Sequence, residues 1–168
     1  MDTLPHLELC MRLGAALLIG AVFGIERHLH DQAAGLRTHV LVALASALAV
    51  LMVAARETVA SGIALEAQSR VLQGVLTGVG FIGAGVILHS PQGHKIHGLT
   101  TAAAIWITAA FGALCGAGQF EIAVLGFFGA ALVLAIGGPI ERALYRRFGR
   151  IPEKDTSEEP LGRTDERR

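Results

Sequence analysis

Long stretches without charge constrain this chain more than any other feature of its sequence. Between Arg12 and Glu141 the charged residues gather in short clusters, leaving uncharged runs at Leu13–Ile25, Thr38–Ala55, Val71–His94, Ile96–Phe120 and Ile122–Ile140. A helix needs roughly 20 mostly apolar residues to cross a hydrocarbon core of about 30 Å. The last four runs meet that length. The first does so when extended back through Leu9, Cys10 and Met11, which places Arg12 inside the span. Half-apolar composition is also common in soluble domains, so the 52% apolar content here decides less than the spacing of the charges. The expected fold is therefore all-α, a polytopic bundle of five transmembrane helices near 7–25, 38–55, 71–88, 99–116 and 121–140. Residues 1–150 form one membrane domain in this reading, and 151–168, polar and mixed in charge, a disordered cytoplasmic tail.

Lys and Arg bias sets the orientation. Arg142, Arg146, Arg147 and Arg150 follow the fifth span, whereas the turn Gly116–Glu121 has no basic residue. The expectation is N-terminus out, C-terminus in. The first eight residues lack a basic segment and no small-residue cleavage site follows, so no cleaved signal peptide is expected. A formal net charge of zero gives no basic surface for nucleic acid. Cys10 and Cys115 make no disulfide framework.

The 21 glycines concentrate inside the apolar runs. In lipid, small residues let helix backbones approach closely, and Gly20-Ala-Val-Phe-Gly24, Gly74-Val-Leu-Thr-Gly78 and Gly112-Ala-Leu-Cys-Gly116 have that spacing. Gly78, Gly80, Gly83 and Gly85 crowd the third span. They fit either a tightly packed helix or a locally unwound one whose backbone lines a cavity.

Four places carry polar groups that lipid alone does not explain. Glu26 and Arg27 end the first span, and Arg37, Thr38 and His39 begin the second. Glu26 is expected to pair with Arg37, pinning the 26–37 loop across the base of the third and fourth helices, since ionisable groups at membrane depth seek partners. Glu8 and Arg12 share one helix face and neutralise each other. Thr100 or Thr101 is placed to cap the fourth helix, with Thr108 facing inward. Trp106, too deep for an interfacial belt, is expected in the core with a partner for its indole N–H. His28, His30, His94 and His97 fall on one side of the membrane in two loops, the candidate metal ligands, although their spacing matches no metal motif. No cofactor is expected. With no nucleophile–base–acid set, phosphate loop or CxxC pair, the chain does not read as an enzyme.

The segments Gly24-Ile-Glu-Arg, Ala34-Gly-Leu-Arg-Thr-His, Gly78-Val-Gly-Phe-Ile-Gly-Ala-Gly-Val-Ile and Gly98-Leu-Thr-Thr-Ala-Ala-Ala-Ile-Trp together resemble the MgtC/SapB family of bacterial inner-membrane proteins. The resemblance runs from about Leu9 to Gly138. It implies a multi-pass inner-membrane protein linked to growth in low magnesium, working as a regulator or accessory of membrane ion homeostasis. Its partners would be membrane lipid and either further copies of itself or a membrane complex, the proton-driven ATP synthase by resemblance. The alternative is a small transporter of magnesium, another cation or protons. The best-known member of that family has a soluble C-terminal domain, and the resemblance here covers the membrane part alone.

A reporter fused after Arg150 should register as cytoplasmic, and one inserted in the Gly116–Glu121 turn as external. An external C-terminus would reverse the orientation.

Overall fold

The computed structural model describes residues 6–54, 61–88 and 98–149. Five helices follow in order: α1 (His6–Leu29), α2 (Leu36–Ala54), α3 (Ser61–Leu88), α4 (Leu99–Gly116) and α5 (Phe120–Phe148). All five contain a stretch long and apolar enough to cross a membrane. The tail 151–168, and the loop holding His94 and His97, lie outside the described residues.

Several helices run past the expected limits. α1 continues through Glu26 and Arg27, and α2 begins two residues early, taking in Leu36 and Arg37. α3 starts ten residues before Val71, because Glu66 and Arg70 pair one turn apart at 2.7 Å and extend the helix beyond the uncharged run. α5 carries on through Pro139 to Phe148. The unwound alternative for the third span is overturned, since α3 is helical throughout its glycine cluster.

Contacts divide the chain into two units, up to Ala131 and from Leu132 onward. In the first unit α4 lies at the centre, touching α1, α2 and α3, and α2 also touches α1 and α3. Two glycine seams bring α2 close to its neighbours. A Cβ on Gly112 would run into the Ala43 carbonyl oxygen, and one on Gly116 would sit 2.5 Å from that of Ala47. From the other side, a Cβ on Gly24 would fall 2.5 Å from Leu36 Cα, and one on Gly20 2.9 Å from Val40 Cα. No side chain fits in such gaps, so these helices meet backbone to backbone. The remaining apolar core fills in around the seams. Ala16, Ala47, Cys115 and Ala123 form one cluster. Phe127 on the first turns of α5 meets Phe23 edge-on at 5.3 Å and Phe111 at 6.5 Å.

α3 is held differently. Among the described residues, of its four clustered glycines only Gly83 meets a neighbour, with Ala102 Cβ 3.4 Å from a Cβ placed there, and a Cβ at Gly78, Gly80 or Gly85 would meet nothing within 4 Å. The chain enters α4 through Gly98, whose φ of 85° suits a residue without a side chain. A Cβ there would also lie 3.0 Å from the Val86 carbonyl. Neither Thr100 nor Thr101 caps α4, contrary to expectation, because Gly98 occupies the cap position.

In the second unit, Leu132, Val133, Ile136 and Ile140 are exposed apolar residues of α5. Pro139 lacks the N–H that would bond the carbonyl four residues back, yet the helix persists. Arg142 Nε donates to the Gly138 carbonyl at 3.2 Å just beyond it.

Gly112→Ala should destabilise the protein by about 1–3 kcal/mol or more, as overpacking of a closed seam does. Gly14→Ala, on α1 with nothing within 4 Å of the added carbon, should be neutral or raise stability by about 0.5–1 kcal/mol. Thermal melting in detergent compares the two, and equal shifts would show that the Gly112 seam is looser than described.

Candidate functional site

The polar groups of the first unit collect at the two ends of the bundle. At the α1–α2 turn, Arg27 makes a two-pronged contact with Glu26. Its Nε donates to Oε2 at 2.6 Å and its Nη2 to Oε1 at 3.0 Å. Adjacent helical residues seldom face each other, but Arg27 is long enough to fold back. It is only 6% exposed, and an unpaired guanidinium at that depth would be costly. His30 adds to the same carboxylate, with Nδ1 3.3 Å from Glu26 Oε1 and donating to the Glu26 carbonyl at 2.8 Å.

The expected Glu26–Arg37 pair is not formed. Glu26 is taken by Arg27 and His30, while Arg37 sits on the exposed side of the first turn of α2. The loop is nevertheless fixed to α4. Thr101 Oγ1 donates to Gln32 Oε1 at 3.0 Å, and Gln32 Nε2 donates to the His30 carbonyl at 3.0 Å. Ala34 is buried in a cluster with Val79 of α3 and Ile105 and Ala109 of α4. The turn itself needs Asp31 at φ 53°, a left-handed conformation that Asp tolerates better than most residues. Pinning by a neutral amide and a small apolar side chain replaces pinning by an ion pair.

His39 is fully buried. Its Nδ1 lies 3.0 Å from the Gly35 carbonyl, which only accepts, so that nitrogen carries the proton. Nε2 is left as a bare lone pair with no partner among the described residues. The other buried hydroxyls are satisfied within their own helices, Thr108 on the Ala104 carbonyl at 2.7 Å and Ser46 on that of Val42 at 2.8 Å.

At the opposite end Arg12 pairs with Glu8, as expected, and also does something the sequence did not suggest. Its Nη1 donates to the Gly116 carbonyl at 2.7 Å. The last carbonyls of a helix lack helical partners and carry partial negative charge, so Arg12 closes the C-terminus of α4 from α1. Gly118, at φ 75°, passes so close that a Cβ would lie 3.0 Å from Arg12 Nη2.

The remaining candidates do not converge. Thr38 is half-buried and Thr100 exposed. Trp106 is 45% exposed and so is not a core residue, because α4 turns its buried face towards Ile105, Thr108 and Ala109. His28 and His30 are exposed, and among the described residues no three His, Cys, Asp or Glu side chains gather as a metal site. Gln32 and the Arg12–Gly116 contact were missed. A glutamine in a short interhelical turn carries no motif, and the carbonyl that Arg12 bonds is 104 residues away.

The architecture is that of a polytopic helical membrane protein with glycine seams and one polar, pinned helix turn. The profile of the MgtC family matches residues 13–143, and the chain belongs to that family. Over 147 residues it is 43% identical to Protein SrpB of Synechococcus elongatus, covering 84% of this chain and 81% of that protein. It is 42% identical over 133 residues to the putative magnesium transporter YhiD of Escherichia coli K12, covering 77% of this chain and 60% of the other. With Protein MgtC of Salmonella typhimurium LT2 the identity is 34% over 142 residues, covering 84% and 56%. The chain thus spans less than two thirds of YhiD and MgtC. No solved structure matches it.

Arg27→Gln should lower stability by about 1–3 kcal/mol, since it removes two charge-assisted hydrogen bonds to a carboxylate that is itself part-exposed. Arg37→Gln should change it by less than about 0.5 kcal/mol, as for other exposed positions. The double variant Glu26→Gln/Arg27→Gln should lose less than the sum of its single changes. Melting in lipid bicelles measures all of these, and additive losses would refute a coupled pair.

Proposed function

We propose that this chain is a non-enzymatic protein of the bacterial inner membrane that regulates or assists ion homeostasis, supporting growth in low magnesium, through helix contacts with protein partners. One observation carries the reading. Among the described residues nothing lies within 4 Å of a Cβ added at Gly74 or Gly78 of α3, so a small-residue face capable of close helix packing is open there. A transport route through Glu26, Arg37 and Thr100 would need them to converge on a cleft. Instead Glu26 is held by Arg27, and Arg37 and Thr100 are exposed. Further copies of the chain or a membrane complex are the candidate partners, the ATP synthase among them by the family resemblance.

Transport of magnesium, another cation or protons is the second reading. YhiD is named a putative magnesium transporter, and buried His39, in the first turns of α2, has a ring nitrogen without a partner among the described residues.

Purified protein in liposomes should pass magnesium, potassium and protons no faster than empty liposomes. A strain lacking the gene should grow poorly in low magnesium and be rescued by the wild-type chain but not by Gly78→Ile. Flux above the empty-liposome rate would favour the transport reading and overturn the first.

A further inference from the structure

We infer that the last two turns of α5, Glu141 to Phe148, bind anionic phospholipid of the bilayer, with Arg142, Arg146 and Arg147 on headgroup phosphates and Leu144, Tyr145 and Phe148 lying among the headgroups. The inference holds whether the protein regulates ion homeostasis or transports an ion, because it concerns only how the second unit meets the membrane.

α5 outlasts its uncharged run. The run ends at Ile140 and the helix continues to Phe148, about 12 Å further at 1.5 Å per residue. The headgroup layer on each side of the hydrocarbon is roughly 5–8 Å deep. A helix along the bilayer normal therefore carries Arg142 through that layer and reaches its outer edge near Arg146 and Arg147. The tilt usual for membrane helices brings these last residues deeper. At that depth stand three arginines against one glutamate, all exposed. Arg12, Arg27 and Arg70 each hold a carboxylate of their own chain. Among the described residues Arg142, Arg146 and Arg147 hold none, and Arg142 donates only to the Gly138 carbonyl.

Charge and apolar pattern together select a lipid over other acidic partners. The helix C-terminus carries a partial negative charge of about half a unit, too little to cancel the surplus of the arginines. A guanidinium grips phosphate through two parallel hydrogen bonds, and basic residues close to an anionic leaflet gain from its surface potential. Ile140, Leu144 and Phe148 recur every fourth residue and so share one side of the helix, and all three are more than half exposed. Tyr145, 77% exposed, is of the type that collects at headgroup level. Water alone would penalise that apolar side. The headgroup layer receives it together with the arginines, whose alkyl stems lie along apolar surface while their charged ends reach phosphate. The opposite end of α5 has no such equipment, for Glu121 stands in its first turn and Gly116–Glu121 has no basic residue.

The test uses the full chain reconstituted in phosphatidylcholine bilayers. Trp106 is the chain's one tryptophan, so Trp106→Phe with Tyr145→Trp puts a single fluorescent reporter in the segment. Trp106→Phe with Phe120→Trp puts one at the opposite end of α5. Equal small fractions of brominated phosphatidylglycerol or brominated phosphatidylcholine are added, and quenching gives the relative affinity of the two lipids at each reporter. At position 145 the anionic lipid should be preferred several-fold, and at position 120 neither. Changing Arg142, Arg146 and Arg147 together to Gln should bring the preference at position 145 towards equality, each arginine contributing up to about 5-fold. Changing all three to Lys should retain most of it. Salt at 1 M, where the screening length is about 3 Å, should weaken it. Circular dichroism checks that the variants keep their helices. Equal quenching by the two lipids at position 145 would overturn the inference and leave the arginines to an acidic protein. A preference that survives the triple Gln change, or one equal at both reporters, would overturn it as well.

Discussion

Backbone contact between α2 and its two neighbours is the constraint on which the first unit depends. Gly20 and Gly24 of α1 face the start of α2, and Gly112 and Gly116 of α4 face its middle. In lipid, apolar burial does not drive helices together, so packing and polar contacts must. A helix approached this closely on two sides cannot rotate without bringing Cβ atoms into carbonyl oxygens. The register of α2 is therefore set, and with it the depth at which His39 is buried and Arg37 exposed.

Given that lateral lock, the polar ends fix α4 along its axis. Arg12 from α1 closes its C-terminus at Gly116, and Gln32 from the α1–α2 turn holds Thr101 in its first turns. Both clamps come from the α1–α2 hairpin. The buried hydroxyls of Ser46 and Thr108 bond within their own helices and so add no cross-link. Burying a polar group without a partner is costly, and His39 Nε2 is the exception among the described residues of this hairpin and α4 apart from Arg12 Nε.

The sequence made the spans legible because charge is costly in hydrocarbon. It was silent about helix ends, since a helix continues into water wherever pairs such as Glu66–Arg70 support it. Three small-xxx-small motifs look alike as text, yet two are closed seams and Gly74–Gly78 is open. The motif states how near a neighbour can come and not whether one of the same chain does. The polar turn was located but its pairing misread. Arg37 was the plausible partner for Glu26 because adjacent residues usually diverge on a helix, and the fold-back of Arg27 depends on a burial that sequence spacing does not encode. Trp106 was placed by depth alone, which gives no angle about the helix axis.

What remains is an asymmetry in how the helices are held. α2 is fixed on two sides by glycine seams and α4 at both ends by polar clamps. α3 meets α4 through Gly83 and Ala102 and through the approach of Gly98 to Val86, with Val79 beneath. α3 also touches α2, and among its described residues Val79 and Gly83 are the buried ones. Its exposed surface is mixed, with Leu65, Leu72, Phe81 and Ile82 beside Gln73, Gly74, Thr77 and Gly78, so part of it suits lipid tails and part would admit a close-approaching backbone. α3 is thus held along one strip and, among the described residues, left open along another, whereas α2 is held on two sides and α4 at both ends.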